Sequence, residues 1–213
     1  MRLTPPPGLS YIRLVANRSG RVMTIYDWII AACWLVFVAV WAVMGVRAKR
    51  PVGARHWRRE GWLRIAVAAL LLIGLSLPPV RHVLHGMRAA AAGAGLLVGP
   101  LGTGLCALGI GLAIWARVYL GRNWGMPMSR QADAELITGG PYAYVRHPIY
   151  TGMLLAMLGS AIANSPVWLV ALVPFGLYFV YSARAEEKLM LEQFPEQYRD
   201  YMARTKMLVP FLV

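Results

Sequence analysis

Charged residues divide this chain into long uncharged runs, and the run lengths set the architecture. The first run goes from Trp28 to Val46, mostly Trp, Val and Ala, between Asp27 and Arg47. Its length matches the roughly 20 residues a helix needs to cross about 30 Å of hydrocarbon. Ile65 to Val80 is a second, shorter run. Trp62, Leu63 and a snorkelling Arg64 extend it, and Pro78-Pro79 ends it. The third, Ala89 to Ala116, would be about 42 Å long as a helix, too long for one upright span. Its start holds Gly93, Gly95, Gly99 and Pro100 and predicts an interfacial or irregular stretch, with the helix proper over 100–120. Gly102, Gly104, Gly109 and Gly111 are small residues that permit close helix approach.

The last run, Pro148 to Ala183, is interrupted by Asn164-Ser165-Pro166, a turn signal. It predicts two helices, over 148–163 and 167–183, both short for a bilayer and forming a thin or tilted hairpin. Beyond it lies a charged tail with Leu189, Phe194, Tyr198, Tyr201 and Met202 at near-helical spacing, where Pro195 restarts a helix. The pattern predicts an all-α polytopic membrane protein. It has about five transmembrane helices, a C-terminal helical hairpin and a cytoplasmic amphipathic tail. Residues 1–100 read as a basic N-terminal segment with the first spans, and residues 101–213 as the functional core.

Composition agrees. The chain is 58% apolar and only 15% charged, yet its net charge is +13. An average soluble domain is about 45–50% apolar and about 25% charged. A nucleic-acid binder would not be so short of charge, and a disordered basic tail would not be so apolar. No nucleic-acid partner is expected; membrane lipids are. Residues 1–21 hold four arginines and three prolines, without the apolar stretch of a cleavable signal peptide. Cys33 and Cys106 lie inside apolar runs and read as buried thiols. His82 and His85 lack enough partners for a metal or haem site, and none is expected.

The hairpin puts the 117–147 loop and the tail on one side, and alternation adds the 47–64 loop. These segments hold four, five and seven of the 22 basic residues. The positive-inside rule makes that side cytoplasmic. It also forces the N-terminus outside, against its own four arginines.

One stretch departs from generic membrane helix. Gly139-Gly140-Pro141-Tyr142-Ala143-Tyr144-Val145-Arg146-His147-Pro148-Ile149-Tyr150-Thr151-Gly152 sits at the mouth of the hairpin, and Arg184-Ala185-Glu186-Glu187 at its other end. Arg117, Arg122 and Asn123 end the preceding span at similar depth. Taken singly, these residues have bland readings. Gly109 and Gly111 suit helix packing, the tyrosines an interfacial belt, and Arg122 and Arg146 topological anchors. Taken in this order they form a set.

That set resembles the isoprenylcysteine carboxyl methyltransferase family, within the wider group of membrane methyltransferases that includes phospholipid N-methyltransferases. The matching pieces are Leu120-Gly121-Arg122-Asn123-Trp124, Leu136-Ile137-Thr138-Gly139-Gly140-Pro141-Tyr142, Arg146-His147-Pro148-Ile149-Tyr150-Thr151-Gly152, Glu186-Glu187-Lys188-Leu189 and Phe194-Pro195-Glu196-Gln197-Tyr198 with Tyr201. They cover residues 105–213, about half the chain, ending near Val209-Pro210. Where the family pattern often has His before Leu136, this chain has Ala134-Glu135.

The resemblance implies S-adenosylmethionine as methyl donor, bound in the C-terminal half. Glu186 and Glu187 suit its ammonium or ribose. Backbone N–H groups around Gly140 and the helix start near Pro148 suit its carboxylate. Tyr142, Tyr144 and Tyr150 offer ring faces to the adenine or sulfonium. Arg146, His147 and Gly152 complete the motif, and Gly109-Ile110-Gly111 matches a Gly-x-Gly of the phospholipid branch. The implied acceptor is lipophilic and enters from the bilayer. An acceptor carboxylate needs no base but does need a cation, and Arg184, Arg117 and Arg122 are the candidate catalytic residues. An amine acceptor would instead need a base. Phospholipid amines, small thiols and lipid hydroxyls are alternative acceptors, and a non-enzymatic scaffold or transporter is the alternative of another kind.

Overall fold

The computed structural model describes residues 15–16, 22–45, 51–52, 83, 97–121, 130–131, 135–164 and 167–209. Five α-helices make up the described fold: α1 Ile25–Gly45, α2 Val98–Leu120, α3 Pro148–Ala163, α4 Val167–Gln193 and α5 Pro195–Arg204. Two short antiparallel pairs accompany them: β1 Val15–Ala16 with β2 Val22–Met23, and β3 Pro51–Val52 with β4 Arg130–Gln131. The protein is an integral membrane protein: α1, α2 and α4 are long and apolar enough to cross a bilayer, and α3 is a shorter apolar helix. The expected span at 65–80, most of the 47–64 loop and the 89–96 stretch lie outside the described residues.

Local chemistry sets the helix ends. Thr24 caps α1: its backbone N–H and hydroxyl donate to Asp27 Oδ2 at 2.7 and 2.9 Å, and the Asp27 N–H returns to Thr24 Oγ1 at 3.4 Å. This is the reciprocal capping pattern expected three residues apart. Pro148 and Pro195 open α3 and α5, where a missing N–H costs nothing. Gly121 ends α2 at φ +55°, a conformation suited to a residue without Cβ.

The core of the bundle is a seam between α2 and α3. Gly102, Cys106, Gly109 and Ala113 on α2 face Gly152, Ala156, Gly159 and Ala163 on α3, and each row repeats at spacings of four, three and four. The helices run antiparallel, close enough for backbone to touch backbone. A Cβ on Gly152 would lie 2.5 Å from Gly109 O, and one on Gly102 would lie 2.6 Å from Ala163 N. In lipid, apolar burial gives helices little reason to associate, so such close van der Waals contact drives packing.

α1 lies parallel to α2. Its Tyr26 ring packs at Gly99 near the start of α2, and at the far end Arg117 NH2 donates to Met44 O at 2.9 Å. Trp34 Nε1 donates to Ser160 Oγ at 3.1 Å and ties α1 to α3. α4 returns antiparallel to α3. The end of α1, the end of α2, the start of α3 and the charged part of α4 therefore share one end of the bundle, here called the mouth. β3 follows α1 and β4 lies between α2 and α3, and the two pair with each other. α1 begins at the opposite end.

One expectation changes. The hairpin's second helix does not stop at residue 183; α4 has 27 residues and runs from the apolar stretch through Arg184 to Gln193. No breaker separates the apolar part from the charged part, so the charged stretch continues the same helix before Pro195 starts α5. The hairpin is consequently asymmetric, with 16 residues in α3.

The seam can be tested. Gly109→Ala drives a methyl into α3 backbone and should cost about 1–3 kcal/mol. Gly111, with open space at its Cβ position, should gain up to about 1 kcal/mol as Ala from helix propensity. Thermal unfolding in detergent reads both; equal midpoints would contradict the seam.

Candidate active site

The chemistry-bearing motif folds as a short 3₁₀ turn, Gly140–Ala143, leading into α3. Gly140 has φ +57°, and its backbone lies against the Tyr119 ring of α2, leaving no room for a side chain. The turn buries Pro141 and Tyr142. Tyr201 OH donates to Tyr142 O at 2.6 Å, docking α5 onto the turn. Burial pushes the Tyr201 phenol up to about 12, and those of Tyr142 and Tyr198 up as well, so all three remain donors at neutral pH.

The turn delivers Arg146 and His147 to the charged part of α4. Arg146 Nε meets Glu187 Oε1 at 2.6 Å, with both side chains under a tenth exposed. His147 lies between two carboxylates: Nδ1 is 3.5 Å from Glu186 Oε2, and Nε2 is 3.4 Å from Glu187 Oε1. The second contact is an ion-pair distance without hydrogen-bond alignment, so Nε2 is a buried ring nitrogen with no hydrogen-bond partner among the described residues. Burial disfavours the imidazolium, but the two carboxylates outweigh it and hold the His147 pKa above its ordinary 6.5.

Glu186 is the more open carboxylate. Its Oε1 accepts from Tyr150 OH at 2.5 Å and Ser182 Oγ at 3.2 Å. Its side chain keeps about a quarter of its exposure. Tyr150 is stacked between His147, at 5.5 Å, and Phe179, at 4.7 Å. The tail straps this cluster. Arg146 N donates to Lys206 O at 2.8 Å and His147 N to Met207 O at 3.0 Å. Thr151 Oγ1 donates to Leu208 O at 2.5 Å. Arg146 NH1 reaches Thr205 O and, at 3.4 Å, Met202 O.

The structure thus brings Arg146, His147, Tyr150, Glu186 and Glu187 together. Gly140 and Tyr142 lie beside them in the turn, with Tyr142 OH 3.4 Å from Ala116 O. Tyr144 is exposed at the mouth. Gly109 and Gly152 lie in the α2–α3 seam, touching each other's helix. Gly111 points the opposite way, into a shallow apolar groove with Gly104, Leu108 and Trp115. Helical geometry alone separates them, because residues two apart face opposite sides. Arg117 is buried, its guanidinium donating to Gly121 O and Met44 O, both at 2.9 Å. Arg184 is exposed, on the same helical stripe as Val173, Leu177 and Tyr181. Arg122 lies outside the described residues.

Ser182 and the 205–208 strap were not singled out from sequence. Ser182 had a signal, standing one turn before Glu186 on the same helix face. The strap had none, since it acts through backbone carbonyls that any residue carries.

A family model described as phospholipid methyltransferase matches residues 98–197. The nickel-cobalt-cadmium resistance protein of Alcaligenes xylosoxydans xylosoxydans is 30% identical over 119 residues, 55% of this chain and 50% of the relative. The protein-S-isoprenylcysteine O-methyltransferase of Tribolium castaneum is 29% identical over 116 residues, 53% of this chain and 41% of the relative. The chain therefore spans about half the length of the curated relatives it matches. The solved eukaryotic intramembrane Ras methyltransferase, isoprenylcysteine carboxyl methyltransferase, shares the fold. Its TM-score is 0.58 at 21% identity, over 88% of this chain and 65% of the other.

The cluster makes a pH prediction. A histidine whose pKa is raised on folding stabilises fully below its unfolded value and loses that contribution as pH rises through its folded value. Stability should therefore fall above pH 6.5 in the native chain but stay flat over that window in His147→Gln. Melting temperatures measured from pH 5.5 to 9 in detergent would show this, and parallel curves would remove His147 as the titrating group.

Proposed function

We propose that the chain is an S-adenosylmethionine-dependent methyltransferase of the membrane group that includes the isoprenylcysteine carboxyl and phospholipid enzymes, a reading supported by the phospholipid methyltransferase family model over residues 98–197 and by the partial likeness to an isoprenylcysteine O-methyltransferase. Its acceptor is lipophilic and enters from the bilayer. The observation that carries this reading is the buried set of two cations and two carboxylates at the mouth. The donor's amino-acid moiety is a zwitterion, and this set fits one. His147 Nε2–H is a buried donor without a hydrogen-bond acceptor among the described residues, suited to a carboxylate. Glu186, open on one side, has lone pairs left for an ammonium or ribose hydroxyl. When bound, the cofactor supplies an electrophilic methyl on a sulfonium.

The chain's own work is then to hold, orient and shield. Arg146 and Tyr150 fix the two glutamates, and the 205–208 strap fixes Arg146 and His147. Gly140 and Tyr142 shape the turn, and exposed Tyr144 offers a ring at the entrance. Gly109 and Gly152 act through helix placement, which lets α3 start at the right depth, whereas Gly111 faces open space on the other side of α2. The mouth faces the cytoplasm in this reading, because the basic segments gather there.

The acceptor group we propose is a carboxylate on an isoprenylcysteine-like molecule. It is ionised at neutral pH, and so it needs a cation and no base. Arg184 takes that role: it is exposed at the end of an apolar stripe, less than a turn from Glu186 and Glu187. Arg117 is a positioning residue, since its guanidinium already ties the ends of α1 and α2.

Three measurements on the full chain in detergent test the reading. S-adenosylmethionine should bind saturably, and Glu187→Gln should weaken it at least tenfold, since one partner of a buried charge pair is lost. Absence of saturable binding by the native chain would sink the enzyme reading. Labelled methyl should pass to farnesylated cysteine and not to its carboxamide. Methylation confined to an amine lipid or a small thiol would replace the carboxylate as acceptor. Arg184→Gln should raise KM for the acid acceptor and leave cofactor affinity unchanged.

A further inference from the structure

Thr151 stands in the first turn of α3, and the chemistry proposed for the mouth gives it no role. Its contacts single it out. Consecutive carbonyls of the tail, from Thr205 to Leu208, all accept from residues 146–151. Arg146 NH1 reaches Thr205 O, Arg146 N meets Lys206 O at 2.8 Å, His147 N meets Met207 O at 3.0 Å, and Thr151 Oγ1 meets Leu208 O at 2.5 Å. The inner two bonds run from backbone to backbone. Side chains make the outer two, and of those side chains Thr151 alone lies outside the charge cluster.

A hydroxyl has one proton to give. The other acceptor near Thr151 Oγ1 is His147 O at 3.2 Å, which already receives the Thr151 N–H at 3.1 Å. The hydroxyl proton therefore goes to Leu208 O, at the shorter distance. Leu208 is buried in one apolar cluster with Tyr150, Phe179 and Ala183. A carbonyl left there without a donor is costly. The end of the tail is thus held twice, by its carbonyl on Thr151 and by its side chain in the cluster.

We propose that Thr151 is a positioning residue: it latches the tail onto the start of α3, and the latched tail sets the place of His147. His147 precedes Pro148 at φ −126° and ψ 60°, outside the helical ladder. Its backbone is therefore fixed from the tail, through Met207 O. A released tail takes the acceptors away from the Arg146 and His147 N–H groups together, and the imidazole loses the fixed backbone that aims Nε2. Only the latched fraction of molecules is then competent to bind, and apparent affinity falls in proportion. This role rests on the cofactor site proposed above. Thr151 itself touches neither cofactor nor acceptor.

Thr151→Val keeps the shape of the side chain and deletes the O–H, whereas Thr151→Ser keeps the O–H. Two readouts on the full chain in detergent test the latch. In the absence of cofactor, amide hydrogen exchange at Arg146 and His147 should be about five- to a hundredfold faster in Thr151→Val, the equivalent of a buried carbonyl losing its donor. S-adenosylmethionine affinity should weaken within the same range, with kcat at saturating cofactor and KM for the acceptor unchanged. Thr151→Ser should restore both readouts. Leu208→Ala loosens the same end of the tail from its other side and should shift both in the direction of Thr151→Val. Native-like exchange at 146 and 147 in Thr151→Val would overturn the latch. Faster exchange with unchanged cofactor affinity would overturn the positioning role. A native chain that binds no S-adenosylmethionine removes the cofactor site and this role with it, while exchange still reads the latch by itself.

Discussion

Backbone contact between α2 and α3 is the constraint on which the remaining structure depends. Gly102, Gly109, Gly152 and Gly159 let the two helices approach until carbonyls and amides of one touch the other. That approach fixes the relative height of the helices. It places Arg117 at the end of α2 level with His147 at the start of α3, although the whole 118–146 segment separates them. A side chain at any of these glycines would push α3 outward, and the turn carrying Arg146 and His147 would move with it. Helix packing in lipid rests on dispersion and geometry, so the seam is both the source of cohesion and the ruler for the mouth.

The charged cluster is built on that ruler. The Arg146–His147–Glu186–Glu187 cluster holds four charge-bearing groups, two of each sign, and three of them have side chains under a tenth exposed. Removing such charges from water is costly, and their mutual attraction offsets the cost only when geometry is good and other lone pairs are filled. The protein meets both conditions. Glu187 is held by Arg146 at 2.6 Å, Glu186 by Tyr150 and Ser182, and Arg146 by carbonyls of the tail. His147 is the exception, with Nε2 left without a hydrogen bond among the described residues. A polar atom left unsatisfied inside an otherwise satisfied network marks where a ligand is expected. The rigid surroundings keep it pointed that way without further reorganisation.

Arginine shows how residue type and place divide the work. The same side chain serves in three ways here. Arg146 closes an ion pair inside the cluster, Arg117 joins two helix ends through their carbonyls, and Arg184 stands on an exposed stripe of α4. Carbonyls at a helix C-terminus carry a partial negative charge, so Arg117 neutralises two such ends at once. Its position just after the end of an apolar run was visible in the chain, but its partners were not. The Met44 carbonyl belongs to a different helix, far back along the chain.

The sequence by itself determined the membrane class, the approximate span limits and the pairing of the Arg-His motif with Glu186-Glu187. These follow from local rules: run length against bilayer thickness, proline at helix starts, and a hairpin that brings its two ends to one side. It also marked Gly109 and Gly111 as a pair. Helical geometry puts the two on opposite sides, and packing decided that Gly109 is the one that enters the α3 seam. Tertiary structure alone decided that α4 runs on into the charged region and that the 205–208 strap closes over Arg146 and His147. The reason is common to both. Each depends on backbone groups or small side chains whose partners are chosen by how closely helices approach, and no pattern of residue types along a chain records that distance.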